Sequence, residues 1–336
     1  MTTQLASSNA LEILKNKEKP ILIAGPCSAE TEEQVLTTAA QLKENGYIDI
    51  FRAGVWKPRT RPGNFEGMGN TALPWLQQVI KLYNLPVAIE VANAKQVEAA
   101  LAHDINVLWI GARTTVNPFS VQEIADALKG VDIPVFIKNP VNPDIELWTG
   151  ALERIKNAGI TYTGLIHRGF SSYGNANLRN VPMWQLAIEM KRRFVDTPII
   201  IDPSHITGNR NLILEILQKA IDLNYDGAMI EVHPNPDIAW SDAKQQLTPK
   251  HYSHIINHAN WRTSNILEEP VVEQLEILRK EIDKYDDTLL EIIHQRMKIS
   301  QQIGEVKKAN NLTILQTKRW IEIYDRLFTL AKEYNL

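Results

Sequence analysis

A chain of 336 residues, 44% hydrophobic and 22% charged, has room for one large domain plus a small module. Lys and Arg total 36 against 39 Asp and Glu, a net charge of −3. That balance excludes a general nucleic-acid surface and leaves room for local cationic clusters. The single cysteine excludes an intrachain disulfide and fits a reducing compartment. The N-terminus MTTQLASSNALEILKNKEKP lacks the basic-then-apolar pattern of a secretory signal. No run of about 18 uncharged apolar residues marks a membrane span. The cytoplasm is the expected location, and neither nucleic acid nor membrane is an expected partner.

In chain order, eight short apolar, β-rich runs recur: ILIAG (21–25), DIFRAG (49–54), PVAIEV (86–91), VLWIGA (107–112), PVFIKN (134–139), TGLIHRG (163–169), PIIIDPS (198–204) and GAMIEVH (227–233). Segments between them, such as ETEEQVLTTAAQLKENG, AKQVEAALAHDI and NRNLILEILQKAIDL, can each hold a helix. Buried parallel strands read as continuous apolar runs, and their crossovers need helices. Eight such units predict an α/β fold, a closed (β/α)8 TIM barrel over residues 1–257. An open doubly wound sheet is the alternative. Its dinucleotide-binding version is disfavoured, because no G-x-G-x-x-G follows the first run.

HANWRTSNILEEP is polar and aperiodic and predicts a linker at 258–270. The chain then turns helical over 271–336. Leu275, Leu278, Ile282, Leu289, Ile293, Met297 and Ile303 form an apolar stripe, with no Gly or Pro before Gly304. A second helix is predicted at 314–333. Two helices bury little on their own, so this C-terminal all-helical module is expected to pack on the barrel or on another chain.

Polar residues cluster at the ends of the predicted strands, the face where barrel active sites sit. Cys27, His205, Glu231 and Asp242 could converge there. A thiolate, an imidazole and two carboxylates suit one borderline divalent ion, Mn2+, Fe2+, Co2+ or Zn2+. Taken alone, Cys27 reads equally well as a buried small hydrophobe. His233, next to Glu231, faces elsewhere if its strand continues. Arg52, Lys57, Arg59, Arg61, Arg113, Lys138 and Arg168 follow or end successive strands. Cations in a barrel mouth are costly unless anions meet them, so more than one phosphate or carboxylate is expected. Arg61 reads better as a rim salt bridge. Lys138, in the apolar setting PVFIKNP, is also a Schiff-base candidate, and a metal-free aldolase is the rival mechanism.

The segments GPCS (25–28), FRAGVWKPRT (51–60), IGARTT (110–115), IKNP (137–140), IHRG (166–169), DPSH (202–205), IEVHP (230–234) and SDAKQQL (241–247) resemble 3-deoxy-D-arabino-heptulosonate 7-phosphate synthase of the type I beta class. The resemblance spans residues 21–257. It implies condensation of phosphoenolpyruvate with D-erythrose 4-phosphate and water. Cys27, His205, Glu231 and Asp242 would hold the metal. Arg113, Lys138 and Arg168 would clamp phosphoenolpyruvate, with Arg52 beside them and Glu90 near the reacting centre. Lys57, Pro58, Arg59 and Thr60 would receive the sugar phosphate, and Lys57 is a candidate for proton handling through a water. The sister family, which makes 3-deoxy-manno-octulosonate 8-phosphate, usually carries an Asn-Arg-Ser type segment where this chain has KPRT. The KPRT form points to the four-carbon aldehyde.

LRKEID (278–283), HQRMKISQQIGEVKK (294–308) and ILQTKRW (314–320) resemble the all-helical chorismate mutase. On a helix, residues advance about 100° each, so Lys307 points nearly the same way as Arg296, while Arg279 points about 100° away. The resemblance implies a homodimer through the helical module, with larger homo-oligomers also open. Arg279 would come from one chain, and Arg296, Lys307 and Arg319 from the other. Together they would bind chorismate or prephenate, for rearrangement or for feedback control of the barrel. Dimerisation or sensing alone is the non-catalytic alternative. Gln316 and Trp320 stand where the family often has acids. The family's third helix has no counterpart before Leu336, so a truncated sequence is the expectation; substitution by the barrel and weak mutase activity are the alternatives.

Overall fold

The structure is a computed structural model that describes residues 10–15, 20–58, 63–174, 177–262 and 269–335. Two units divide the chain, 1–263 and 264–336. In the first, eight strands close a barrel: β1 Ile21–Gly25, β2 Ile50–Ala53, β3 Val87–Val91, β4 Val107–Ile110, β5 Val135–Lys138, β6 Thr163–His167, β7 Ile199–Ile201 and β8 Gly227–Glu231. All pairings are parallel, and β1 closes on β8 from Ile21–Gly227 to Gly25–Glu231. Each predicted run contains one strand. Eight crossover helices follow in turn: α1 Glu32–Asn45, α2 Leu73–Tyr83, α3 Ala94–Ala102, α4 Pro118–Ala127, α5 Ile145–Asn157, α6 Trp184–Arg193, α7 Ile213–Asp222 and α8 Pro249–His258.

Side-chain alternation divides two cores. Ile21, Ile23, Ile50, Ala88, Val107, Trp109, Phe136, Ile166, Ile200 and Met229 fill the barrel interior. Their strand neighbours, such as Leu22, Ala24, Phe51 and Ile89, pack outward against the helices. Ala10 and Leu14, from a helical turn at 10–15, join the interior cluster, and Tyr162 Oη donates to the Leu14 carbonyl at 3.0 Å. Local signals set the helix ends. In α1, Thr31 accepts from the Gln34 amide, Glu32 and Glu33 occupy the first turn, and Gly46 closes the helix with φ 76°.

His167, in the predicted IHRG segment, is fully buried among Trp148, Phe170, Trp184 and Tyr225. Nε2 lies 2.7 Å from the Pro182 carbonyl, which can only accept, so Nε2 carries the proton. Nδ1 then accepts from Tyr225 Oη at 2.7 Å. Burial pushes the imidazole down from 6.5 to about 4. Because the folded value is depressed, stability is complete above about pH 6.5 and is lost as pH falls toward 4. His167→Gln is expected to lose about 2 kcal/mol less than the parent between pH 7 and 4.5, measured by denaturant unfolding at both pH values. Equal losses in the two proteins would refute this.

The second unit contains α9, Glu269–Ala309, and α10, Thr317–Glu333. The first helix starts earlier than predicted and takes in the last two residues of the expected linker. Pro270 is tolerated in its first turn, where no intrahelical N–H bond is required. Linker residues 263–268 lie outside the described residues. Gly304 does not interrupt α9. The second helix starts three residues later than predicted, after a turn with Asn311 at φ 53°, and Lys307 Nζ donates to the Ile314 carbonyl across that turn at 2.7 Å. Of the predicted stripe, Leu278, Ile282, Leu289, Ile293, Met297 and Ile303 are exposed and Leu275 is half-buried. No helix among the described residues is long and apolar enough to cross a membrane.

Candidate active site

At the C-terminal end of the barrel, β1, β8 and the loop beyond β8 bring Cys27, Glu231 and Asp242 together. One ligand atom from each lies within 4.8 Å of the others. The Cys27 thiol donates to Asp242 Oδ2 at 3.3 Å, and the Cys27 amide donates to Gln246 Oε1 at 3.0 Å. His205, on the short helix Pro203–Thr207 after β7, stands beside this group, with Nε2 3.7 Å from Glu231 Oε1. Its Nδ1 is 2.8 Å from Asp202 Oδ2. Asp242 adopts φ 49°, which aspartate tolerates better than most residues.

The electrostatics follow from burial and neighbours. Burial, with the Glu231 and Asp242 carboxylates beside it, pushes the Cys27 thiol up to about 12 despite Lys57. Burial pushes the His205 imidazole down, which favours the neutral form that can bind a metal. Burial alone would raise Asp242, but Arg179 and His205 hold its carboxyl well below the usual range. Burial lowers Lys57 by itself; the Cys27 and Glu231 groups reverse this and leave it raised, an ammonium. Lys57 Nζ donates to the Cys27 carbonyl at 2.6 Å and reaches Sγ at 3.1 Å.

The cations converge beside this cluster. Arg52 is buried; Nη2 donates to Glu231 Oε1 at 3.2 Å, and its guanidinium lies 5.0 Å from the centre of the Trp109 ring. Its Nε and Nη1 are buried without a hydrogen-bond partner among the described residues. Unmatched buried donors of this kind are costly and call for an anionic oxygen. Lys138, also over Trp109, pairs with buried Asp202 at 2.9 Å. Arg168 Nη1 donates to Asn180 Oδ1 at 2.8 Å. Burial, and after it the charges of Arg179 and Arg113, push Arg168 down to about 10 against the pull of Asp202, so it stays charged at neutral pH. Arg113 is exposed on the short helix Ala112–Thr115 after β4.

Glu90 accepts from Trp109 Nε1 at 2.8 Å. A Cβ on Gly111 would come within 2.1 Å of Glu90 Oε1, so the missing side chain makes space for this carboxylate. Glu90, Lys57, Pro58, Trp56, Glu66 and Gln96 border a cavity of about 190 Å³. Arg59, Thr60 and Arg61 lie outside the described residues.

Several participants were not singled out from the sequence. Asp202 lies inside the quoted DPSH segment, where its Oδ1 caps the short helix through the His205 amide at 3.1 Å. The His205 and Lys138 charges hold its carboxyl well below the usual range against the effect of burial. Gln245 and Gln246 lie inside SDAKQQL; Trp109 reads as a plain strand residue. His233 does face elsewhere: its Nε2 is 3.3 Å from Glu30 Oε2, linking the loops after β1 and β8. In the helical unit, Arg279 and Arg319 form exposed pairs with Glu276 at 2.8 Å and Glu322 at 3.0 Å. Arg296 is exposed and Lys307 half-buried.

Each unit matches a known family. Residues 278–336 match the chorismate mutase type II family. The chain is 33% identical over 226 residues to a phospho-2-dehydro-3-deoxyheptonate aldolase of Thermotoga maritima, covering 67% of this chain and 64% of that protein, slightly under two thirds of its length. It is 28% identical over 262 residues to a 2-dehydro-3-deoxyphosphooctonate aldolase of Desulfotalea psychrophila, covering 72% of this chain and 90% of that one. The crystal structure of a DAHP synthase from Thermotoga maritima superposes with a TM-score of 0.64 at 30% identity, covering 72% of this chain and 68% of that one. A truncated form of 3-deoxy-D-arabino-heptulosonate 7-phosphate synthase from the same organism gives 0.61 at 28% identity, covering 71% and 84%. The family profile itself spans residues 3–269, and on that match the chain belongs to the DAHP synthetase I family.

Proposed function

We propose that the barrel condenses phosphoenolpyruvate with D-erythrose 4-phosphate and water, giving 3-deoxy-D-arabino-heptulosonate 7-phosphate and phosphate. The observation that carries this reading is the set of buried cations Arg52, Lys138 and Arg168 beside a cluster of metal-type ligands, with two Arg52 nitrogens lacking partners among the described residues. Cys27, His205, Glu231 and Asp242 fit one Mn2+, Fe2+, Co2+ or Zn2+ ion. Three of them already cluster, and the imidazole is biased toward its neutral ligand form. When bound, the ion polarises the aldehyde carbonyl as a Lewis acid.

Arg52, Lys138, Arg168 and Arg113 hold the phosphate and carboxylate of phosphoenolpyruvate. Carbon 3 of phosphoenolpyruvate attacks the aldehyde carbon, water adds at carbon 2, and phosphate leaves with its bridging oxygen by C–O cleavage. Lys57 donates to the developing alkoxide from its place beside Cys27. Glu90 offers an acceptor near the adding water. Pro58, Arg59 and Thr60 receive the sugar phosphate. The Lys138–Asp202 contact weighs against a Schiff-base mechanism, because it engages the nitrogen that would have to attack a carbonyl.

A linker after α8 joins the synthase barrel to a helical module that begins with α9 at Glu269 and takes chorismate or prephenate on Arg279, Arg296, Lys307 and Arg319. A second copy supplies part of that pocket, which suits the exposed apolar stripe of α9. The lone, metal-facing cysteine suits a cytoplasmic location. Incubation with phosphoenolpyruvate and either a four-carbon or a five-carbon aldose phosphate tests the substrate. A seven-carbon product by mass spectrometry is expected. An eight-carbon product alone would favour the octulosonate reading. Chorismate turnover by the full chain tests the module, and prephenate binding without turnover would favour sensing.

A further inference from the structure

The loop between β6 and α6 reaches the metal-type cluster through Arg179. Arg179 Nη1 donates to Asp242 Oδ1 at 3.0 Å and to Gln245 Oε1 at 2.6 Å. The buried Gln245 amide then donates from Nε2 to Glu231 Oε2 at 2.6 Å. Chemistry fixes this orientation. A guanidinium only donates and a carboxylate only accepts, so the amide oxygen must face Arg179 and its nitrogen Glu231.

The backbone around Arg179 is anchored to the element that carries His205. The Arg179 amide lies 3.4 Å from the Thr207 carbonyl, and the Asn180 amide donates to Ile206 at 3.0 Å. Asn180 Nδ2 donates to the His205 carbonyl at 2.6 Å, while its Oδ1 receives Arg168. Gly208 keeps the path open: a Cβ there would lie 2.8 Å from Arg179 Cβ, and φ is +62°.

We propose that Arg179 is a positioning residue for the metal centre, setting Asp242 directly and Glu231 through Gln245. The inference rests on the metal reading. Ligating carboxylates held by outer hydrogen bonds lose less freedom on binding, and removing such partners typically costs about 10–100-fold in affinity. Arg179 also brings a positive charge to a site where two carboxylates would otherwise repel each other in the metal-free protein. Its removal therefore changes preorganisation and charge in opposite senses, and preorganisation is expected to win, because Gln245 is buried and must be re-oriented without Arg179.

The test is Mn2+ titration of the metal-free full chain, read by an indicator dye, together with the absorption spectrum of the Co2+ form. Arg179→Ala and Arg179→Gln are compared with the parent and with Cys27→Ala. Glutamine retains much of the stem against Gly208 and serves if the alanine variant does not fold. Both are expected to bind Mn2+ about 10–100-fold more weakly and to alter the Co2+ bands, with the circular dichroism of the metal-free protein unchanged. Arg179→Ala combined with Gln245→Ala should weaken binding little more than the worse single change. Affinity and spectrum within twofold of the parent, while Cys27→Ala loses the metal, would overturn the inference and leave the metal site standing. A parent that binds no metal would overturn both.

Discussion

Lys138→Met is expected to lower kcat by about 10²–10³-fold and to destabilise the barrel by about 3–5 kcal/mol. Lys138 ends β5 almost wholly buried, 2.9 Å from Asp202, which is fully buried. Methionine matches its length and keeps the packing over Trp109, so the loss is mainly electrostatic. It leaves a buried carboxylate that still contacts His205 and caps the short helix but has lost the Lys138 charge. It also removes one cation from the anion-holding group. Adding Asp202→Asn separates the two effects. The amide retains an oxygen for the His205 amide and no longer carries a charge that needs Lys138. The double variant should recover most of the stability in denaturant melts and none of the turnover. A Lys138→Met protein with parental stability and turnover would contradict both roles. Borohydride treatment with pyruvate, which unlike phosphoenolpyruvate offers a ketone for imine formation, should leave the parent's mass unchanged, whereas a trapped adduct on Lys138 would revive the Schiff-base mechanism.

Cys27→Ala is expected to abolish tight metal binding and, with it, turnover. The buried thiol is pushed up to about 12, so at neutral pH the metal-free protein carries a protonated Cys27. A metal that takes the thiolate must displace that proton. Loading should therefore release about one proton from this residue, and affinity should rise about tenfold per pH unit across the neutral range. His205, already biased to neutral, should add little to the release above pH 7. Calorimetry in buffers of different ionisation enthalpy counts the proton. Binding that is independent of pH, or undiminished in Cys27→Ala, would remove the thiolate from the site.

The barrel was legible because parallel strands buried on both faces leave uninterrupted apolar runs such as ILIAG and PIIIDPS. The active face was legible because Cys27, Lys138, His205 and Glu231 stand at or just beyond the ends of those runs. What escaped is relational. Asp202 matters because β5 and β7 bring it to Lys138, two strands apart in the barrel, and no local pattern announces such a pair. Arg179 sits in a loop without periodicity, so its approach to Asp242 and Gln245 depends on Gly208 and on the course of the backbone. Trp109 looked like one more strand residue, yet its ring lies under two cations and its Nε1 orients Glu90. Pro270 read as the end of a linker and instead belongs to the first turn of α9, because a proline there breaks no hydrogen bond.

The most direct measurement is phosphate release from phosphoenolpyruvate with D-erythrose 4-phosphate, on parent and Cys27→Ala protein, after chelation and after return of Mn2+. Release by the parent that stops on chelation and resumes with the ion, with Cys27→Ala inactive throughout, is the predicted result. Equal release by chelated and reloaded parent, or by Cys27→Ala, would contradict a metal-dependent condensation at this barrel mouth.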